Sequence, residues 1–212
     1  MSGHGHGHSH GSGGCDHSDD KSGIDRGAEF SLYMKIDLDK VQCLNEQIDG
    51  SGKTVFKPWD QRLDKERVVE SDADEELLFN IPFTGNVKLK GVIVIGGEDD
   101  THPSSMKLYK NRPQMSFDDT GVEADQEFQV TPDSTGVVEY PTKVVRFSSV
   151  THLTIYFPTN FGADTTKVYY IGLHGDFTEA QRQEILITNY EIRPNPADHK
   201  VDSFNPMSHE IQ

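Results

Sequence analysis

The longest apolar pattern in the chain runs from residue 77 to residue 95 and predicts two β-strands. From Leu77 to Phe83, apolar residues recur at every second position, which is the period of a strand with one buried face. The segment 84–86 (TGN) then predicts a chain reversal. Residues 92–95 are apolar at every position, so we expect the second strand to be buried on both faces.

Two residues in this run predict irregularities. Gly91 separates the alternating part of the second strand from its fully apolar part, and we interpret it as the site of a β-bulge. Pro82 has no amide proton for a neighbouring strand. It therefore predicts either an edge strand or a local irregularity in the first strand.

The remainder of the chain repeats short apolar runs, separated by connections that are rich in Gly, Pro, Asn and Asp. No long amphipathic helix divides these runs, a pattern typical of an antiparallel β-sandwich. Eight or nine strands are close to the number in a jelly roll, so the predicted fold class is an all-β jelly-roll sandwich with short helical turns. Beyond residue 96, strands are predicted at 105–110, 128–130, 144–147, 153–157, 168–173 and 185–187.

Upstream of the central pattern the signals are weaker. The alternation over residues 30–36 predicts a short strand. Asp37 is a possible N-cap, which predicts a short helix over 38–44. The acids of 71–76 predict a single helical turn that leads into the central strand.

The two ends of the chain differ in composition from its middle. Residues 2–23 contain no aliphatic residue and no Phe, Tyr or Trp, so they cannot bury enough surface to offset their ordering entropy. We therefore predict a disordered Gly/His-rich tail over 1–29 and a β-sandwich domain over 30–193. Three prolines after Arg193 predict an extended C-terminal tail over 194–212.

Histidines in the N-terminal tail raise the question of a metal site. Imidazoles bind zinc, copper or nickel, and the tail offers His4, His6, His8 and His10. Their spacing fits no closed tetrahedral site, so we favour a tail with incidental metal affinity and expect no specific metal. A purification tag is a further interpretation.

Charge and cysteine content limit the possible partners and compartments. The chain has 35 acidic and 20 basic residues and a formal net charge of −15, which argues against nucleic acid or an anionic membrane as partner. No basic stretch is visible in the sequence. Two cysteines without a Cys-x-x-Cys pair, and no apolar signal or bilayer-spanning run, favour a reducing compartment. We expect a cytoplasmic monomer, with the nucleus as a second location.

The segment 50–54 (GSGKT) resembles the end of a phosphate-binding loop. The required first glycine is replaced by Gln47, no strand precedes the loop, and Pro58 prevents the helix that should follow. We therefore interpret the segment as a structural loop. Cys43 is interpreted as a small buried hydrophobic residue. With no nucleophile–base pair assignable, we expect no enzyme activity and no cofactor.

Several blocks resemble the PITH-domain family, named after the proteasome-interacting domain of thioredoxin-like protein. They are LLFNIPFTGNVKLKGVIVI (77–95), RPQMSFDD (112–119), NFGADTTKVYYIGLHG (160–175), NYE (189–191) and NPADH (195–199). The resemblance covers about residues 30–200. It implies a jelly-roll sandwich similar to galactose-binding-like domains, and docking to the 26S proteasome. The chain lacks the thioredoxin domain, so no redox function is carried over.

Two classes of function follow. The first is a non-catalytic protein-interaction module that docks to the 26S proteasome, and we rank it first on the family resemblance. The alternative is a jelly-roll domain that binds a small molecule or glycan. Such a site needs an aromatic platform, for which Trp59 and Tyr156 are candidates unless both cover the core.

Two segments are candidates for partner binding. The loop 160–167 offers Phe161, Asp164 and Lys167, because a loop on a rigid sandwich is a common recognition element. The alternative is structural: Phe161 plugs the end of the sandwich while Asp164 and the threonines of the loop cap local amides. The C-terminal tail offers Phe204, Met207 and His209, which could engage another surface by ordering on it.

Overall fold

The computed structural model describes residues 29–179 and the isolated positions 1, 3 and 27. Within these residues the chain forms eight strands and six short 3-10 helices. The strands are β1 (Gln42–Leu44), β2 (Val69–Glu70), β3 (Leu77–Gly96), β4 (Ser105–Lys110), β5 (Gln126–Gln129), β6 (Glu139–Pro141), β7 (Val150–Phe157) and β8 (Lys167–Thr178). The 3-10 helices are Ser31–Lys35, Leu38–Lys40, Ser51–Val55, Trp59–Gln61, Asp99–Thr101 and Phe117–Gly121.

Strand β3 is the central strand of the fold. Its first half pairs with β1 and β7, and its second half pairs with β6 and β8. Val87 pairs with Val150 of β7 and with Phe177 of β8, so these partners lie on opposite edges of β3. Strands β4 and β5 extend the sheet from β7, and β2 extends it from β8, with antiparallel pairing throughout.

The predicted turn at 84–86 is wrong, because β3 continues through these residues as one strand of 20 residues. The chain nevertheless changes direction within β3, since the pairs Leu77–Phe157 and Gly96–Val168 bring both of its ends beside the loop between β7 and β8. The pairing register of β3 with β7 shifts between Pro82 and Val87, and this irregularity stands where a turn was predicted. Pro82 lies in an interior strand, so of the two alternatives the irregularity is the one observed. A register shift between Leu89 and Gly91 confirms the predicted bulge.

Burial on both faces of β3 explains its apolar pattern. The inner faces of both halves share one core cluster, which makes the fold the predicted all-β sandwich of jelly-roll type. On the outer face of the second half, Ile93 and Ile95 pack with Phe30, Trp59 and Tyr170. On the outer face of the first half, a third cluster consists of Leu78, Tyr109, Met115, Ala124 and Tyr156.

Several local predictions are wrong. Residues 31–35 form a 3-10 helix and not a strand, and residues 72–75 form bends and not a helical turn. The helix predicted over 38–44 is reduced to Leu38–Lys40, because residues 42–44 pair with β3 as β1. Residues 144–147 form a turn, and the strand at this point is β6. The strand predicted at 185–187 lies outside the described residues.

Strands β3 and β8 approach each other closely at Gly175, and a substitution there tests this packing. A Cβ atom at this position would lie 2.3 Å from the carbonyl oxygen of Lys88 on β3. We expect Gly175→Ala to cost about 1–3 kcal/mol and to lower the melting temperature by roughly 2–12 °C. Gly121→Ala is the control, because no heavy atom lies within 4 Å of its added Cβ. Equal melting temperatures for the two variants would contradict this packing.

Candidate functional site

Four loops meet at one end of the sandwich, which we call the loop end. They are residues 71–76, 97–104, 130–138 and 158–166. They converge because β3 begins beside the end of β7 and finishes beside the start of β8, as shown by the pairs Leu77–Phe157 and Gly96–Val168. The loop end therefore contains the predicted recognition loop 160–167.

Asn160 holds the recognition loop in shape. Its side-chain amide donates to the carbonyl oxygens of Ala163 at 2.9 Å and Thr165 at 3.0 Å, and its Oδ1 accepts the amide of Gly162 at 2.8 Å. Gly162 has a φ of 122°, a conformation that favours glycine. One asparagine thus closes the tip of the loop.

The base of the recognition loop is bonded to the loop 71–76. Ser71 donates its amide to the carbonyl of Thr166 at 3.0 Å, and the amide of Thr166 donates to the Ser71 hydroxyl at 2.9 Å. The Thr166 hydroxyl donates to the carbonyl of Glu75 at 2.6 Å. Both Ser71 and Thr166 are fully buried. The two loops therefore form a single anchored unit.

Phe161 projects from this unit into solvent. Its side chain is 43% exposed, so it does not plug the end of the sandwich. Its amide donates to the carbonyl of Asp100 at 3.1 Å, and its ring centroid lies 6.3 Å from that of His102. The structure thus contradicts the first part of the structural alternative, in which Phe161 plugs the end of the sandwich. Its second part is also not observed, because the Thr166 hydroxyl donates to the carbonyl of Glu75 and the Thr165 hydroxyl donates to the Glu70 carboxylate, so neither caps a local amide.

Asp164 and Lys167 differ in what surrounds them. Asp164 is exposed and forms no hydrogen bond or ion pair with the described residues. The Lys167 ammonium lies 3.2 Å from Glu70, whose other carboxylate oxygen accepts the Thr165 hydroxyl at 2.9 Å. Lys167 is therefore engaged in anchoring the loop, whereas Asp164 remains free for a partner.

A groove of about 580 Å³ runs between the recognition loop and the loop 71–76. Small residues form part of its wall, and three carboxylates border it. It is lined by Ala73, Asp74, Glu75, Thr159, Asn160, Gly162, Ala163 and Asp164.

His102 supports the loop end from within. The residue is 1% exposed; its Nε2 accepts the amide of Asp133 at 3.2 Å, and its Nδ1 therefore carries the proton that is donated to the carbonyl of Pro103 at 2.8 Å. Burial lowers the pKa of His102, although the contacts with Pro103 and Asp133 partly oppose this effect. Nothing in the sequence pattern indicated this structural role.

Asp133 organises the loop 130–138 in turn. Burial acts to raise the pKa of its carboxyl group, but hydrogen bonds from Val138, Thr135 and Gly136 outweigh burial and lower it. The carboxylate accepts the amides of Val138 at 2.7 Å, Thr135 at 2.8 Å and Gly136 at 3.0 Å.

The aromatic platforms proposed for a sugar are not available. Trp59 is 7% exposed; Phe30 stacks on it at 5.2 Å, and the Arg62 guanidinium lies 4.1 Å from the ring centroid. Tyr156 is 5% exposed and donates its hydroxyl to Glu76 at 2.8 Å. Both rings cover core or loop, as the alternative interpretation had it.

Backbone amides of the GSGKT segment are already hydrogen-bonded within the protein. Glu46 accepts the amides of Gly50 at 2.7 Å and Gly52 at 2.6 Å, so its own carboxylate stands where a phosphate would bind. Residues 51–55 form a 3-10 helix, in agreement with a structural loop. Cys43 packs against the core, and burial raises the pKa of its thiol well above the ordinary range.

Other predicted positions fall outside the described residues. They are Phe204, Met207 and His209 of the C-terminal tail and His4, His6, His8 and His10 of the N-terminal tail. Within the described residues, no group of three or more His, Cys, Asp or Glu side chains is placed to hold a metal ion. In the same part of the chain, no helix is long and apolar enough to cross a membrane.

Burial of neutral His102 predicts a pH dependence of stability. A free imidazole titrates near 6.5, and the folded-state pKa is lower. As pH falls below about 6.5, the imidazole of His102 becomes protonated in the unfolded state but stays neutral in the folded state, so the free energy of unfolding decreases. We expect wild type to lose more unfolding free energy than His102→Gln between about pH 7 and pH 5, measured by urea denaturation. Parallel pH profiles would contradict this assignment.

Comparisons with known proteins identify relatives along most of the chain. A profile described as "PITH domain" matches residues 22–194. The chain is 59% identical over 202 residues to PITH domain-containing protein CG6153 of Drosophila melanogaster, covering 94% of this chain and 96% of that protein. It is 61% identical over 186 residues to PITH domain-containing protein 1 of Homo sapiens, covering 88% of each.

Solved structures with a similar fold share little sequence with the chain. The CBM32-1 and CBM32-2 domains of Clostridium perfringens ZmpB in complex with GalNAc give a TM-score of 0.48 at 12% identity, covering 68% of this chain and 35% of that one. A fucolectin from striped bass serum gives 0.48 at 8% identity, covering 69% and 48%. The relatives in sequence, and not these structures, decide the family. The chain belongs to the PITH-domain family.

Proposed function

We propose that this chain is a non-catalytic protein-interaction module that docks to the 26S proteasome, acting as a monomer in the cytoplasm and nucleus. Membership of the PITH-domain family supports a docking role, because the family is named for a proteasome-interacting domain. The buried faces of Trp59 and Tyr156 give the competing glycan-binding interpretation no platform.

The observation that carries the proposal is the exposed ring of Phe161 on an anchored loop. An aromatic side chain supplies a large contact area at low conformational cost, and binding energy concentrates in such residues. The loop below it is closed by Asn160 and bonded to its neighbour through Thr166, so little order has to be gained on binding. Asp164, unpaired on the same loop, adds a polar contact at the edge of the ring's surface.

Phe161→Ala tests this loop directly. We expect the variant to bind immobilised, purified 26S proteasome at least about fivefold more weakly than wild type, since truncation of a central contact residue costs more than about 1 kcal/mol. Val122→Ala is the matched control, because Val122 is 49% exposed on a different loop. Failure of the wild type to bind purified proteasome would refute the docking function. Equal binding by both variants would refute only the role of the loop.

The C-terminal tail is a second proposed binding element. We expect truncation after Arg193 to weaken retention on the purified proteasome without unfolding the domain, because Phe204, Met207 and His209 would be lost. Circular dichroism checks the fold of the truncated chain. If that chain is folded and binds as well as the full-length protein, the tail is not a binding element.

A further inference from the structure

The turn that joins β6 to β7 carries apolar and basic residues at its tip. Lys143 accepts, through its carbonyl oxygen, the amides of Arg146 at 2.8 Å and Phe147 at 3.1 Å. Phe147 is fully buried, and its carbonyl accepts the amide of Leu89 on β3 at 3.0 Å. The turn is therefore closed by its own hydrogen bonds and fixed to the core at one end.

Val145 stands at the tip of this turn. Its side chain is 92% exposed, more than any other exposed Val, Leu, Ile or Phe in the described residues. A single exposed apolar residue is ordinary on a protein surface. Here, however, the residue is held on a fixed turn between two cations, so binding would not have to order it.

Three cations surround the tip, and we call Lys110, Lys143, Val145 and Arg146 the basic turn. The Lys110 ammonium donates to the carbonyl of Arg146, and the Arg146 guanidinium donates to the carbonyl of Asp125 at 2.7 Å. These are bonds to carbonyl oxygens, so they leave the positive charges in place. Lys143 forms no side-chain hydrogen bond with the described part of the chain.

None of the three cations has a carboxylate within ion-pairing distance among residues 29–179, whereas six other lysines and arginines of the described residues do. The paired ones are Lys40, Lys65, Arg67, Lys90, Lys107 and Lys167. The carboxylate of Asp125 faces the same region and accepts the amide of Lys110 at 2.9 Å. The basic turn thus stays positive on a chain whose formal net charge is −15.

We propose that the basic turn is a docking site for an acidic, extended segment of a partner protein, with one apolar side chain packed on Val145. Charge complementarity supports this occupant, because acidic residues would be repelled elsewhere on the protein and attracted here. A single valine supplies too little apolar surface to insert into a bilayer. The net negative charge opposes an extended anionic surface such as a membrane or a nucleic acid.

This site is separate from the recognition loop. The basic turn precedes Val150 at the start of β7, and the recognition loop follows Phe157 at its end. Eight residues of extended chain place the two sites roughly 23 Å apart. The proposal therefore does not depend on proteasome docking by Phe161.

A labelled peptide tests the charge requirement. The probe is fluorescein-labelled Glu-Glu-Asp-Leu-Glu-Asp-Glu, and binding to the full-length chain is followed by fluorescence anisotropy at about 50 mM salt, where screening is modest. We expect Lys143→Glu to weaken binding about tenfold, because the side chain contacts the partner's carboxylates. Lys53→Glu makes the same change of charge in the 3-10 helix Ser51–Val55, outside the basic turn, and should weaken binding less than about twofold.

A second probe tests the apolar contact. In this peptide the leucine is replaced by asparagine, and we expect Val145→Ser to weaken binding of the leucine peptide but not of the asparagine peptide. Absence of binding to wild type at about 1 mM peptide, or equal losses in Lys143→Glu and Lys53→Glu, would overturn the proposal. Phosphatidylserine vesicles and a single-stranded DNA oligonucleotide serve as further probes. Binding of either one, lost in Lys143→Glu and without peptide binding, would also overturn it.

Discussion

The pairing of β3 along both of its edges is the constraint on which the rest of the structure depends. A strand that pairs first with β1 and β7 and then with β6 and β8 has to pass from one layer of the sandwich to the other. The irregularity between Pro82 and Val87 makes this possible without breaking the strand. Because both halves contribute inner-face residues to one cluster, β3 holds the two layers together through its own backbone.

The path of β3 also determines where function can be placed. Its two ends return to the same end of the sandwich, so the loops that precede and follow it meet the loop between β7 and β8. Buried hydrogen bonds between Ser71 and Thr166 join two of these loops, and His102 underlies Phe161. The exposed ring is therefore supported by a neutral buried histidine, which links the stability of this surface to pH.

Many carboxylates of this acidic chain hold its own loops together. Glu46, Asp119 and Asp133 each accept backbone amides of their own loops. At Asp119 and Asp133 the hydrogen bonds lower the pKa of the carboxyl group, so they retain negative charge while stabilising irregular backbone. This use of acids explains why the GSGKT segment binds an internal carboxylate and leaves no amide cradle for a phosphate.

The sequence by itself determined the strand class of the fold and the burial of its central strand. The all-β class, the burial of 92–95 on both faces, the bulge at Gly91 and the structural nature of the GSGKT loop all followed from local patterns, because periodicity and glycine positions report the environment of each residue. The same patterns do not report which strands pair, so the interior position of Pro82 and the 3-10 helix at 31–35 came only from the tertiary structure.

The two candidate sites also differ in how much of each the sequence indicated. The sequence singled out Phe161 by its neighbours, but only the packing of the loop end decided that its ring faces solvent. The basic turn had no signal at all in the sequence, since Lys110 stands more than 30 residues before Lys143 and Arg146. Long-range strand pairing brings these cations together, and a linear charge pattern does not encode which distant segments will become neighbours.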